Sequence, residues 1–248
     1  MPTIAAFAAN LCAIPPRPVV CLDTCDILEV VQCLDWEQPG KDKEQPCKPR
    51  SAAPIEPVRR LLTALIADPD RVQLVITELV ATEWNQNIAG IRAKAELFLR
   101  KIDEFVSVAG QAAGFVGTTL PAATPLIASS LVADAATLST SLLNAAKRLD
   151  LDDAIIRRAL NRVMTKRRPS HDGHIKDSIN FEHYLEFARR LRAGGFPGPV
   201  LFVSKNRKDY WAPGKSQIHP DLEPDINDPA VQLQFHGSLT AALGPLGI

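Results

Sequence analysis

Three short runs of apolar, mostly β-branched residues constrain this chain more than any other feature, because each runs straight into a polar segment. Val19-Val20-Cys21-Leu22 ends in Asp23, Val72-Gln73-Leu74-Val75-Ile76 ends in Thr77, and Val200-Leu201-Phe202-Val203 ends in Ser204. After the first, helical spacing of Ile27, Leu28, Val30, Val31 and Leu34 predicts a helix capped by Asp26. After the second, Thr77 and Glu78 start a helix that carries Leu79, Val80, Glu83 and Trp84. Between these units a helix is expected over about Pro57 to Ala67, stopped by Asp68-Pro69-Asp70. Strand-into-helix units joined by a helix predict an α/β fold with a parallel sheet and right-handed crossovers.

The remaining segments attach to these units. Residues from about Ala89 to Met164 are rich in Ala, Leu and Arg with helical spacing and no strand signal, interrupted at Gly114 to Pro125. They predict a helical insert or lid, with Asp150 or Asp152 capping its last helix. That helix alternates apolar Ile155, Ile156, Leu160 and Val163 with basic Arg157, Arg158, Arg162, Lys166, Arg167 and Arg168. Its basic side is either a solvated face or a phosphate contact for an RNA strand. Lys176 to Leu185 opens a further helix, Trp36 to Pro54 reads as a surface loop, and the Pro-rich tail reads as loop with an edge strand over Val231 to Phe235. The expected organisation is one domain over 1–248, with its core at about 18–88 and 170–236 and its insert at about 89–168.

Composition narrows the function classes. With 248 residues and 46% hydrophobic content the chain can build a sizeable core. Its 28 basic and 28 acidic residues cancel, so any attraction for nucleic acid must come from local segregation of charge. The five cysteines, Cys12, Cys21, Cys25, Cys33 and Cys47, are odd in number and lack paired C-x-x-C spacing, which predicts reduced thiols and neither a disulfide framework nor a structural zinc site. The Ala-rich N-terminus has no basic flank and runs into Pro15-Pro16-Arg17-Pro18, so a signal peptide is not expected. No uncharged apolar run reaches the length of about 18 residues needed to span a bilayer unbroken. The expected location is the cytoplasm.

Ligands of an open parallel sheet bind outside the carboxyl ends of its strands, at the switch in strand order. Asp23, Asn206 and Asp209 fall at or just past strand ends, and Glu83 and Asp177 fall one to two turns into helices that can flank the same crevice. Gathered carboxylates raise one another's pKa unless a cation lies between them. An all-oxygen set without His or Cys suits Mg²⁺ or Mn²⁺, and on a phosphodiester such ions support hydrolysis.

Four segments together resemble the PIN-domain nucleases, in particular longer bacterial forms with a helical insert. They are Val19-Val20-Cys21-Leu22-Asp23-Thr24, Thr77-Glu78-Leu79-Val80-Ala81-Thr82-Glu83-Trp84, His174-Ile175-Lys176-Asp177-Ser178-Ile179-Asn180-Phe181-Glu182, and the run from Val200 to Tyr210. The resemblance spans about Val19 to Tyr210. It implies a three-layer α/β/α sandwich with a central parallel sheet, and a metal-dependent endoribonuclease in which Asp23, Glu83, Asp177 and Asp209 are the catalytic acids and the ligands of Mg²⁺ or Mn²⁺. Glu78 is the rival of Glu83, since an acid in a first turn favours the helix regardless of function. Asn206, where many members carry another acid, is expected on metal-bound water or phosphate. Ser204 or Thr24 would orient ligands, and Lys176 would contact the scissile phosphate or neutralise the cluster. Arg162, Arg167 and Arg168 complete the expected substrate contacts. RNA is the expected partner, with DNA as the alternative, and similar proteins imply a homodimer, a toxin or defence role and a neutralising antitoxin-like protein.

Two other readings compete. A strand ending in Asp23 is also found in phosphatases of the haloacid-dehalogenase type, but those need a second Asp two residues on, where Cys25 stands. A catalytically inactive PIN-like scaffold binding RNA or protein through the basic helix is the other. His171 and His174 read as exposed loop residues or as metal or acid-base groups, and Trp84 and Trp211 as packing residues or base-stacking platforms.

Overall fold

The computed structural model describes residues 3–37, 48–170, 173–214 and 217–248. In chain order the helices are α1 (Ile4–Cys12), α2 (Thr24–Gln32), α3 (Ile55–Ala67), α4 (Glu78–Phe115), α5 (Leu131–Ala145), α6 (Asp153–Met164), α7 (Ile175–Ala193), α8 (Arg207–Tyr210), α9 (Glu223–Ile226) and α10 (Leu239–Leu243). The strands are β1 (Val19–Leu22), β2 (Trp36–Glu37), β3 (Lys48–Pro49), β4 (Gln73–Thr77), β5 (Lys147–Leu149), β6 (Val200–Val203) and β7 (Leu233–His236). Strands β2 and β3 form a small antiparallel pair at the ends of the expected surface loop, most of which lies outside the described residues.

The main sheet has the order β5-β4-β1-β6-β7, and all its pairs are parallel. Side chains alternate across it with the period of two that a strand imposes. Val19, Cys21, Val75, Val200 and Phe202 join the core under α1, α6 and α7, while Val20, Leu22, Leu74, Ile76, Leu201 and Val203 join the core under α2, α3, α4, α5 and α10. Both faces are covered, giving the parallel α/β fold that the apolar runs predict, in the three-layer arrangement that the resemblance implies. The chain leaves β1 toward β4 and β5, then crosses back over α6 and α7 to place β6 on the other side of β1. The switch in strand order therefore lies at the carboxyl ends of β1 and β6.

Several expectations are corrected. The stretch expected to be wholly helical contributes a strand: β5 pairs with β4 at Val75↔Lys147, Ile76↔Arg148 and Thr77↔Leu149. Helix α2 is capped by Asp23, whose side chain accepts from the Thr24 amide, and Asp26 sits buried in its first turn. The N-terminal segment is a helix capped by Thr3; it packs on α7, with Phe7 stacked on Phe187 at 5.5 Å between ring centroids. Helix α4, about 57 Å long at 1.5 Å per residue, outruns the core, leaving Phe105 and Phe115 exposed. Among the described residues no helix is long and apolar enough to cross a membrane.

Candidate active site

Asp23 follows β1 directly, at the centre of the sheet, and is 5% exposed. Its Oδ1 accepts from the Thr24 amide at 2.7 Å and its Oδ2 from Ser204 Oγ at 2.7 Å. Ser204 reaches it because β6 pairs with β1 in register, Leu22 opposite Val203. The Cys25 thiol lies 3.3 Å from the same Oδ2. Burial pushes the Asp23 carboxyl up; the donors Ser204, Cys25 and Thr24 oppose this, and the charge of Glu83 adds to it.

The other acids arrive from helices. Glu83, in the second turn of α4, accepts from Thr24 Oγ1 at 2.7 Å and pairs with Lys176 Nζ at 3.1 Å, so Glu83 is the acid that α4 turns toward Asp23. Helix α4 is held over β4 by its cap, Thr77, which hydrogen-bonds the Val80 amide at 3.2 Å and Asn180 Oδ1 of α7 at 2.5 Å. Helix α7 is fixed to β1 by Tyr184, whose hydroxyl donates to the Leu22 carbonyl at 2.6 Å. This places Asp177, in the first turn of α7, beside Asn206, which donates from Nδ2 to its Oδ1 at 3.1 Å. Tyr210 donates to the Asp177 carbonyl at 3.0 Å, locking α8 and its buried Asp209 against α7. Burial first, then the charges of Asp23, Asp209 and Glu83, push the Asp177 carboxyl up to about 8. Those mutual fields are the physical sign that four residues far apart in sequence share one small volume.

Among the described residues no group of three or more His, Cys, Asp or Glu side chains stands in metal-holding geometry. Ser204, Thr24, Lys176 and Asn206 instead occupy carboxylate oxygens of Asp23, Glu83 and Asp177. The chemistry of the donor set nonetheless fits a hard divalent cation, being all oxygen and carrying like charges that a cation would relieve. Asp26 adds a buried Oδ1 without a hydrogen-bond partner, and its carboxyl is pushed well up by burial and then by Asp23 and Glu29.

The basic helix is redirected. Arg162 is 5% exposed, ion-paired through Nε with Glu182 and through Nη2 with Asp225 at 2.8 Å, and lies 5.1 Å over the Phe181 ring. Arg167 pairs with the same Asp225 at 3.3 Å, and Arg168 hydrogen-bonds the Lys208 carbonyl, bracing the backbone of α8. Arg162 is thereby withdrawn from any strand of RNA, because acids from α7 and α9 face it. Trp84 is a packing residue, its indole donating to Ser139 Oγ at 2.9 Å in the core. Trp211 is half-buried and donates to the Ser204 carbonyl at 3.2 Å. His174 is exposed just before α7, and His171 lies outside the described residues.

Sequence reasoning passed over the other flank of Asp23. Cys25, Glu29, Gln32, Arg50, Lys205, Arg207 and Trp211 line a cleft of about 720 Å³ there. The signal for part of it was present in the run Ser204-Lys205-Asn206-Arg207-Lys208 immediately after β6.

Comparison with known proteins finds no matching curated protein and no matching solved structure. A PIN-domain family model matches residues 56–210, a span that holds β4, β6, Glu83, Asp177 and Asp209; β1 and Asp23 precede it and join it through the sheet. With that match over more than half of its length, and with the sheet and the converging acids behind it, the chain belongs to the PIN-domain family, whose members are generally nucleases.

Proposed function

We propose that this protein is a divalent-metal-dependent endoribonuclease whose acids are Asp23, Glu83, Asp177 and Asp209. The observation that carries the reading is their gathering at the carboxyl ends of β1 and β6, where the fields of Asp23, Asp209 and Glu83 all bear on Asp177. These four residues would hold Mg²⁺ or Mn²⁺, which when bound activates water and stabilises a leaving oxygen in phosphodiester hydrolysis.

The chain's own groups set the stage for that chemistry. Ser204 and the Thr24 amide orient the two oxygens of Asp23. The Thr24 hydroxyl orients Glu83, and Asn206 orients Asp177. The Lys176 ammonium, on a half-exposed side chain, balances Glu83 and would meet a phosphate of the substrate. Acids held this way need little reorganisation when charge develops nearby.

The test is cleavage of labelled single-stranded RNA, with a single-stranded DNA control, in Mn²⁺, Mg²⁺ or EDTA, beside an Asp23→Asn, Asp177→Asn double variant. The expected result is cleavage of RNA that needs metal and falls at least about 100-fold in the variant. Equal behaviour of wild type and variant, with no metal bound by calorimetry, would leave an inactive scaffold. The Lys176–Glu83 ion pair, which occupies one of the acids with an internal cation, is the feature that favours that second reading.

A further inference from the structure

The cleft beside Asp23 has a composition the acids themselves lack. Three cations, Arg50, Lys205 and Arg207, line it against one carboxylate, Glu29, which pairs with Lys205. Its one aromatic residue, Trp211, is held in a set orientation. The indole N–H is tied to the Ser204 carbonyl at 3.2 Å, Phe235 meets the ring edge-on at 6.4 Å, and the Arg207 guanidinium lies 5.0 Å from the ring centroid. Gly237 makes room for the ring: a Cβ there would fall 1.9 Å from an indole carbon, so any larger residue displaces the side chain. Cys25 forms the wall shared with the acids, its Sγ 3.3 Å from Asp23 Oδ2 and 3.7 Å from Ser204 Oγ.

We infer that this cleft is a nucleotide subsite, which takes one nucleotide of a single-stranded RNA adjoining the one whose phosphate lies at the acids. The inference rests on the nuclease reading for its substrate. Arginine suits phosphate because its fork donates two parallel hydrogen bonds, and a guanidinium resting on an indole offers a flat cationic surface on which any base can stack. A volume of about 720 Å³ lies within the range of roughly 300–1,000 Å³ usual for small-ligand pockets. Entry of a base into a concave site requires it to leave its stack, which selects single strands. The wall shared with Asp23 makes the two sites continuous, so one strand can occupy both. An acidic protein segment would satisfy the cations but has no use for the held indole.

The experiment is equilibrium binding of a fluorescein-labelled single-stranded oligouridylate in EDTA, where cleavage cannot intervene, over a salt series. Trp211→Leu with Arg207→Gln should weaken binding about 10-fold or more, the size of one lost base stack. Arg50→Gln, at an exposed position that leaves the indole in place, should lower the log–log salt slope by about 0.7. Gly237→Ala, which keeps every charge and moves only the ring, should weaken binding without changing that slope. Variants that bind within about twofold of wild type while unfolding at its temperature overturn the subsite even if RNA is cleaved. Displacement of the RNA by polyglutamate at equal charge concentration overturns it in favour of an acidic protein partner. Loss of binding in these variants, in a protein that cleaves nothing with any metal, upholds the subsite and sinks the nuclease reading.

Discussion

Asp177→Asn should stabilise the metal-free protein while removing its activity. The carboxyl is pushed from 3.8 to about 8, by burial first and then by Asp23 and Asp209, with the Asn206 amide partly offsetting them. The folded chain therefore holds a proton at Asp177 that the unfolded chain releases, so this group's stabilising contribution is complete below 3.8 and is lost as pH rises through about 8. A tenfold change in proton affinity is worth about 1.36 kcal/mol, and discounting for the solvent that reaches this half-buried side chain leaves roughly 1–3 kcal/mol at neutral pH. Asparagine carries no charge, and its carbonyl still accepts the bond from Asn206. Near neutrality the folded chain carries no charge at this position in the first turn of α7, so the substitution forfeits no helix-dipole stabilisation, and relief of the cost of burying and protonating the carboxyl stands. Thermal unfolding in EDTA across pH should show the variant melting about 2–12 °C above wild type near neutrality, with the gap closing as pH falls toward the unfolded value. A variant that melts below wild type at every pH would refute the reasoning, because Asp177 would then be an ion the fold requires.

Other substitutions separate structural from chemical roles. Arg162→Met strips Glu182 and Asp225 of a buried partner and should cost about 3–5 kcal/mol in urea unfolding, with Glu182→Gln in the same chain recovering part of it. The salt dependence of RNA binding should not change with it; a reduced slope with stability intact would return Arg162 to the substrate. Trp84→Phe breaks the bond to Ser139, which itself donates to the Ile27 carbonyl at 2.8 Å, and should cost about 1–2 kcal/mol in the same assay with specific cleavage unchanged. Thr24→Val keeps the backbone bond to Asp23 but releases Glu83, and should lower kcat about 10-fold with little change in KM, as measured by steady-state cleavage.

The apolar runs were legible because β1, β4 and β6 lie inside the sheet with both faces covered, so burial dictates their composition. Strand β5 was not, since it contributes only Lys147-Arg148-Leu149 at the sheet edge, where two of three side chains need not be apolar. The capping role of Asp23 was missed for a related reason: one acid at a strand-to-helix transition can serve as cap and as site residue, and spacing does not separate the two. Charge periodicity along α6 marked a basic face correctly and said nothing of what faces it, because Glu182 and Asp225 belong to elements distant in sequence. The cleft was hidden more deeply. Its walls come from α2, from the segment after β6, from Arg50 after β3, and from Gly237 after β7, segments that share no motif.

The way the chain spends its charges bears on how it can hold a nucleic acid. Basic and acidic residues balance at 28 each, and much of the basic share near the site is consumed internally: Arg158, Arg189 and Arg190 on Glu186, Arg162 on Glu182, Arg167 on Asp225. The cations nearest the site are a small set, Lys176, which pairs with Glu83 on the α7 side, and the cleft residues Arg50, Arg207 and Lys205, the last paired with Glu29. A strand crossing the carboxyl ends of β1 and β6 would thus meet cation, acids and cation in turn, with repulsion concentrated where the reacting phosphate must sit. On the nuclease reading that repulsion would work against the few phosphate contacts when no divalent ion is bound, and a bound ion would relieve it at the point where chemistry is wanted. On the proposed reading, binding through so few cations would be weak and salt-sensitive, and the Arg207–Trp211 pair would supply the part of the affinity that salt does not screen.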